Sequence, residues 1–321
     1  MANDVLVSVI MNCYNSSQDL EACLQSLKAQ TYAHFEVIFF DNCSTDASAS
    51  IAKTFDARLK YYLSDQHVPL GCARNLALEH AQGELIAFLD CDDLWEPDKL
   101  RKQVALFAQD PQVGLVTCDT MLLQDGKIVG RVFQTSQPAR GYVFRELLQR
   151  QWISMSSAMV RRTALASLTK TSAWNGGWFD ETLNVCEEAD VFYRISAKWK
   201  LDYVDQPLTT WRIHTRNTTF AKYGLFATET RKILEKLRQL MPNFSVEYAD
   251  LVELLTERAN FQEAVDLWHR GFGKAARALL GQHKLKSPKT KLFWLCTFLP
   301  GSWFDLLAKV YFALPKFLRR G

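Results

Sequence analysis

The 321-residue sequence predicts an α/β protein with a mostly parallel central sheet, helices on both faces and a C-terminal helical region. Two observations carry this. Through the first third, short near-continuous apolar runs alternate with amphipathic helical patterns, as in strands buried on both faces. Beyond about residue 220 the strand signals stop and long helical periodicities take over.

Residues 5–11 predict the first buried strand, and 17–29 a helix with Leu20, Cys23, Leu24 and Leu27 on one face. Residues 35–40 form a second strand, followed by a turn and a helix from near Thr45 that Ser44 or Thr45 can cap. Residues 59–63 are a third strand, 73–81 a helix broken by Gly83, and 85–89 a fourth strand. A helix over 95–108 carries Pro97 early, where its missing N–H costs nothing, and a strand over 113–118 closes the series. A hairpin over 121–132 turns at Asp125-Gly126. Short helices over 142–150 and 161–168 flank a Ser-rich strand, 153–160, and a helix over 187–199 precedes a strand over 201–204. The long helices run 226–240, 246–269 and 273–282. The organisation expected is a catalytic domain over 1–220, divided at residue 118, and a helical region over 221–321.

Composition narrows the function. A formal charge of +3 lacks the strong basic excess of a dedicated nucleic-acid binder. The eight cysteines are scattered without a C-x-x-C pair, so neither a zinc site nor a disulfide framework is legible, and reduced thiols in a cytoplasmic protein are expected. The N-terminus lacks the charged region and cleavage site of a signal peptide. No apolar run reaches the ~18 residues of a spanning helix. Phosphate loops of the Walker type, G-x-G-x-x-G and G-x-S-x-G are all absent, which removes nucleoside triphosphatases, dehydrogenases and serine hydrolases of the common kinds.

In a doubly covered sheet, ligands bind outside the carboxyl ends of the strands. Asn12, Tyr14 and Asn15 follow the first strand, Asp41 the second, and Asp90, Asp92 and Asp93 the fourth. Three carboxylates within four residues repel one another unless a cation is present, and Mg2+ or Mn2+ bridging carboxylates to a substrate phosphate relieves that repulsion. Capping of the helix at Trp95 by Asp92 or Asp93 explains one of the three, but not all of them. Asp41 can accept a hydrogen bond from a nucleobase N–H. Arg74, on an expected first helical turn, opposes the helix dipole, which a bound phosphate or the nearby carboxylates would explain. Glu187, Glu188 and Asp190 open a helix, where acidic residues are commonplace, though a carboxylate so placed can also deprotonate a substrate hydroxyl. His214 follows Trp211-Arg212-Ile213 in a polar stretch, where a lone histidine is more often structural.

Taken in order, these motifs resemble the family two inverting glycosyltransferases of the GT-A fold, over roughly residues 5–219. The resemblance rests on Val7-Ser8-Val9-Ile10 with Tyr14-Asn15, Gln30-Thr31-Tyr32, Asp41 with Ser44-Thr45-Asp46, and Ala73-Arg74-Asn75. It continues through Gly83-Glu84, Phe88-Leu89-Asp90-Cys91-Asp92-Asp93-Leu94-Trp95, Phe179-Asp180-Glu181 and Glu187-Glu188. It implies a nucleotide-sugar donor, with Asp41 on the nucleobase, usually uracil, and Asp90 facing the ribose or sugar. It implies Asp92 on a divalent Mn2+ or Mg2+, with His214 near the metal or diphosphate. Glu188 would be the general base, with Glu187, or less readily Asp190, as the alternative. The chain departs from the family in Asn12-Cys13, where Pro-Thr is frequent, and in Glu187-Glu188, where Glu-Asp is usual. The implied role is synthesis of a surface polysaccharide or lipid-linked glycan. A sugar-1-phosphate nucleotidyltransferase is disfavoured because residues 12–18 lack the glycines and basic residues its loop needs, and a non-catalytic binding module because the acidic set is intact.

Residues 284–320 interleave Lys286, Lys289, Lys291, Lys309, Lys316, Arg319 and Arg320 with Phe293, Trp294, Phe298, Trp303 and Phe312. Such a segment suits peripheral docking on an anionic membrane face, against the alternative that its aromatics pack on protein.

Overall fold

The computed structural model describes residues 5–134, 137–168, 177–214, 217, 222, 224–281, 288–300 and 303, with the side chains of 288 and 289 excluded. The chain forms two compact units, 1–217 and 218–321.

The first unit is built on a sheet whose first half is parallel. Strands β1 (Val7–Cys13), β2 (Phe35–Asp41), β3 (Leu59–Leu63) and β4 (Leu85–Phe88) lie in the order β3-β2-β1-β4, all parallel. Both faces of β1, β2 and β4 are covered, which is why they read as near-continuous apolar runs. Helix α1 (Ser17–Lys28) buries Leu20, Cys23, Leu24 and Leu27, and α2 (Ser48–Ala52) and α3 (Leu70–Glu79) complete the crossovers.

Beyond β4 the sheet becomes mixed. The short strand β5 (Leu94–Trp95) precedes α4 (Lys99–Gln109); β6 (Val113–Gln124) and β7 (Lys127–Arg131) form a hairpin. Asp125 and Gly126 both take positive φ, 49° and 73°, as a two-residue hairpin loop of this hand requires. After α5 (Phe144–Gln149) come β8 (Met159–Arg161), α6 (Arg162–Ala166), α7 (Glu187–Ser196) and β9 (Lys200–Ile213). The order runs β4-β8-β6-β9-β5, antiparallel except between β6 and β9.

Three local expectations change. Trp95 is in a strand, not a helix, because Leu94 and Trp95 pair with Thr210 and Thr209 while the indole N–H donates to the Ser156 carbonyl at 2.7 Å. Helix α4 therefore starts at Lys99, past Pro97, and neither Asp92 nor Asp93 caps it. The Ser-rich stretch is not one strand: Met155–Ser157 is a 3-10 turn closed by Ser157 Oγ donating to the Ser154 carbonyl at 2.7 Å. The strand expected over 201–204 extends to Ile213, and this extension carries the chain back to the acidic end of β4.

The second unit contains α8 (Leu225–Leu240), α9 (Phe244–Glu247), α10 (Ala249–His269), α11 (Gly273–Gly281) and α12 (Pro288–Cys296). Its core packs Ala264 and Trp268 of α10 against Ala276 and Leu280 of α11, with Phe293 of α12 alongside.

Gly83 sits where no side chain fits: a Cβ there would lie 2.5 Å from the Ser8 nitrogen and 2.6 Å from the Leu6 carbonyl oxygen, both backbone atoms. Ser8 Oγ meanwhile accepts from the Gly83 N–H at 2.7 Å and donates to the buried Glu36 carboxylate at 2.6 Å. Gly83→Ala should therefore cost about 2 kcal/mol or more of unfolding free energy, since the strand must move, readable as a lower urea midpoint.

Candidate active site

Because β1, β2 and β4 are parallel neighbours, their carboxyl ends open on one edge. Asp41 closes β2, is 1% exposed, and accepts from the Ser44 N–H at 2.8 Å and the Tyr61 hydroxyl at 2.6 Å. Burial and that bond to a carboxylate push the Tyr61 phenol above its ordinary range. Asn15 takes φ of 51°; its N–H donates to Ser44 Oγ at 3.0 Å and its side-chain oxygen accepts from the Thr45 N–H at 2.8 Å, so it ties the loop after β1 to the loop after β2. Tyr14 is exposed beside this loop with its ring edge-on to His67 at 4.3 Å. Asn12 has a buried side-chain NH2 without a hydrogen-bond partner.

Ser44 and Thr45, expected as helix caps, brace Asn15 instead. Asp46 takes the Ser48 N–H and the Ser17 N–H, both at 2.9 Å, at the starts of α2 and α1. Burial opposes its charge, but the bonds from Ser48 and Ser17 prevail and hold this carboxyl well below the usual carboxylate range.

Arg74 is the hub of the acidic region. Since α3 begins at Leu70, it lies in the second turn, is 3% exposed, and points at carboxylates from two other elements. Its guanidinium is 2.7 Å from Glu187, 3.5 Å from Asp90 and 4.0 Å from Glu188. Of the explanations for its placement, carboxylates are what the described residues supply. The neighbouring Asn75 pins the approach to α7, donating to the Phe179 carbonyl at 2.9 Å and Glu181 at 3.0 Å and accepting from the Phe179 N–H at 2.9 Å.

The acids at the start of α7 differ in what they can do. Glu187 is paired to Arg74 with its side chain 4% exposed, whereas Glu188 keeps 29% exposure. Asp190 is fully buried and ion-paired with Arg194 at 2.7 Å, so it is not placed to meet a substrate. Burial, reinforced by Glu187 and Asp90 and opposed by Arg74, pushes the Glu188 carboxyl up to about 8.

The three aspartates after β4 separate in the same way. Asp90 faces Arg74 with 41% of its side chain exposed. Asp92 Oδ2 lies 3.0 Å from His214 Nε2 and 3.4 Å from Asn217 Nδ2. Asp93 is buried, accepting from Ser156 Oγ at 2.5 Å and from the Arg212 N–H at 3.1 Å, so it is an internal brace rather than a cap or a ligand. Burial first, then mutual repulsion, raises the pKa of Asp92 and, further, of Asp93; His214 partly offsets this at Asp92. Asn217 carries no sequence signal of its own. It stands out only once its side-chain oxygen is seen to accept the His214 N–H at 2.7 Å.

Among the described residues no group of three or more His, Cys, Asp or Glu side chains could hold a metal ion. The pair Asp92 and His214 nonetheless fits a divalent ion that keeps several positions for diphosphate oxygens and water, as Mg2+ does with one or two protein carboxylates. The surplus of buried negative charge that raises Asp92 is the chemistry such an ion offsets.

Residues 8–166 match the family model described as Glycosyl transferase family 2. The putative teichuronic acid biosynthesis glycosyltransferase TuaG of Bacillus subtilis is 37% identical over 124 residues, 38% of this chain and 49% of that protein. The UDP-Glc:alpha-D-GlcNAc-diphosphoundecaprenol beta-1,3-glucosyltransferase WfgD of Escherichia coli is 29% identical over 51% of this chain and 63% of that protein. The chain thus spans less than two thirds of the length of either. Among solved structures, S. aureus TarS 1-349 in complex with UDP-GlcNAc superposes with a TM-score of 0.59 at 19% identity, covering 85% of this chain and 87% of that one. Mannosyltransferase PcManGT from Pyrobaculum calidifontis, in complex with GDP-Man and Mn2+, gives 0.62 at 21% identity, covering 98% and 81%. The fold is of the GT-A type with a C-terminal helical region.

Arg74 and Glu187 are both buried, so Arg74→Met should strand a carboxylate and cost about 3 kcal/mol or more in chemical denaturation. Arg74→Met combined with Glu187→Gln should recover part of that loss, because no buried charge of the pair is then left alone.

Proposed function

We propose, on the premise that residues 8–166 place this chain in glycosyl transferase family 2, that it moves a sugar from a nucleoside diphosphate to an acceptor hydroxyl with inversion. The observation that carries this reading is the cluster of Asp90, Glu187 and Glu188 about one buried guanidinium, with the Asp92–His214 pair at the same strand end.

In this reading the crevice over β1 and β2 takes the nucleotide. Asp41 accepts from the nucleobase, which favours UDP-sugars, and Asn12, Tyr14 and Asn15 line the same side. The unpartnered NH2 of Asn12 is a donor awaiting an acceptor, which supports its place there. Asp90 receives hydroxyls of the ribose or sugar, and Arg74 orients Asp90 and holds Glu187 as a positioning partner. Asp92 and His214 would hold Mn2+ or Mg2+, which when bound supplies positive charge against the oxygens of the departing diphosphate. Residues 1–118 supply most of the donor side, and 119–217 supply the base and the acceptor side.

Glu188 is the general base. It takes the proton of an acceptor hydroxyl as that oxygen attacks the anomeric carbon from the face opposite the diphosphate. The new C–O bond forms, the bond to the diphosphate breaks, and the leaving group departs with the electron pair. Of the acids opening α7, Glu188 alone combines exposure with a poised pKa, which favours it over Glu187 and Asp190.

The acceptor class is a growing surface polysaccharide or a lipid-linked saccharide, which the names of TuaG and WfgD support. A lipid-linked acceptor would bring the enzyme to the inner face of the cytoplasmic membrane. Among the described residues no helix is long and apolar enough to cross a membrane.

The pH dependence has a definite sign. A carboxyl raised to about 8 is protonated, and inactive as a base, below that pH. Its raised folded-state pKa also means that the stability it contributes is fully present below the ordinary carboxylate range and is lost as pH rises through about 8. Transfer by the free enzyme, read as kcat/KM, should rise with pH along an acid limb centred near 8. Glu188→Gln should lower transfer by roughly 10²–10⁴-fold and abolish that limb while donor binding is kept. A variant that transfers sugar at the wild-type rate would remove Glu188 from the role.

A further inference from the structure

Among its described residues the second unit exposes a set of large apolar side chains. One side of α12 is anchored: the Phe293 ring meets Phe261 at 4.9 Å and Trp268 at 5.5 Å, and the Trp268 indole donates to the Leu299 carbonyl at 2.9 Å. On the other side Leu292 and Leu295, spaced i and i+3, are 55% and 58% exposed, and Leu299, past the helix end, is 39% exposed. Phe298, Trp303 and Phe272 are also exposed. Six large apolar residues open to solvent in so short a segment is more than scattered surface exposure explains.

Charge says what covers them. Residues 267–321 carry eleven Lys and Arg against a single acid, Asp305, a balance of +10 that leaves −7 on the remainder of a chain totalling +3. Among the described basic residues, Arg270, Lys274 and Lys291 are exposed. The Arg270 guanidinium lies over the Phe272 ring at 5.6 Å and that of Arg277 over Phe298 at 4.1 Å, so cationic heads and aromatic rings share the surface. A second copy of this segment would bring the same positive charge to meet it. An anionic lipid surface offers both a negative field for the lysines and arginines and an apolar layer for leucine, phenylalanine and tryptophan.

We propose that the C-terminal helical unit docks on an anionic lipid bilayer through the outer face of α12 and the residues just beyond it. The inference deepens the lipid-linked reading above and supplies the surface by which the enzyme would meet such an acceptor. Of the basic-aromatic segment recognised in the sequence, residues 282–287, 301–302 and 304–321 lie outside the described residues and supply only their charge to the argument.

The test is co-sedimentation of the full chain with phosphatidylglycerol–phosphatidylcholine vesicles and with pure phosphatidylcholine vesicles, with donor hydrolysis measured on the same samples. Wild type should favour the anionic vesicles by roughly tenfold at low salt and lose most of that preference at high salt. Leu292→Ser with Leu295→Ser should cut binding to anionic vesicles at least about fivefold, through lost apolar burial, and leave hydrolysis and the thermal melt unchanged. Lys274→Glu with Lys291→Glu should weaken binding to anionic vesicles alone. Wild type left in the supernatant with both vesicle types would overturn the proposal, as would serine variants that bind like wild type. A serine pair whose only effect is to convert a dimer to a monomer in light scattering would also overturn it, by making the face a self-association surface. Each of these outcomes leaves the hydrolysis measurement, and with it the catalytic reading, standing.

Discussion

One constraint organises the first unit: more carboxylates converge at the end of β4 than its buried cations neutralise. Arg74 lies within 4.0 Å of Asp90, Glu187 and Glu188, while Asp92 and Asp93 sit one step along the chain and repel both each other and Asp90. The consequences are visible in the pKa directions: Asp92, Asp93 and Glu188 are all displaced upward, with burial as the leading cause and neighbouring acids reinforcing it. The cation and diphosphate proposed for this site would offset such a surplus.

The topology brings that cluster together. The parallel half of the sheet brings the ends of β1, β2 and β4 to one edge, which suffices for Asp41 and Asp90 but not for Asp92. Its partners come from more than 120 residues away, at the end of a 14-residue β9 that pairs parallel with β6 and antiparallel with β5. Asp93 locks this return, bonding at once to Ser156 and to the backbone of Arg212. Asn75 does the equivalent for α7, holding the chain at Phe179 so that Glu187 and Glu188 arrive beside Arg74.

The parallel strands and α1 were legible because local periodicity and two-sided burial write themselves into consecutive residues. The positions of Asp41, Asp90 and Asp92 at the carboxyl ends of β2 and β4 were legible too, since each follows an apolar run. What local sequence hid was non-local. Trp95 stands two residues before Pro97 and reads locally as a helix start, but its pairing with Thr209 and its bond to Ser156 place it in a strand. Asp92 and Asp93 look alike in the chain, and only their partners distinguish a side chain facing His214 from an internal brace. Asn217 had no motif, and its relevance appears only through its bonds to His214 and Asp92. Glu187 and Glu188 are adjacent and chemically identical, yet one is consumed by Arg74 and the other left open, a difference set by the rotation of α7.

Whether the acidic strand end holds a cation together with a nucleotide decides the proposed mechanism. The most direct measurement is calorimetric titration of UDP into the protein with and without Mn2+, repeated for Asp92→Asn. Mn2+ should tighten UDP binding to the wild type by about tenfold or more, a coupling of roughly 1.4 kcal/mol, and Asp92→Asn should lose this coupling. Equal UDP affinity with and without Mn2+ in the wild type, or a coupling that survives Asp92→Asn undiminished, would contradict it.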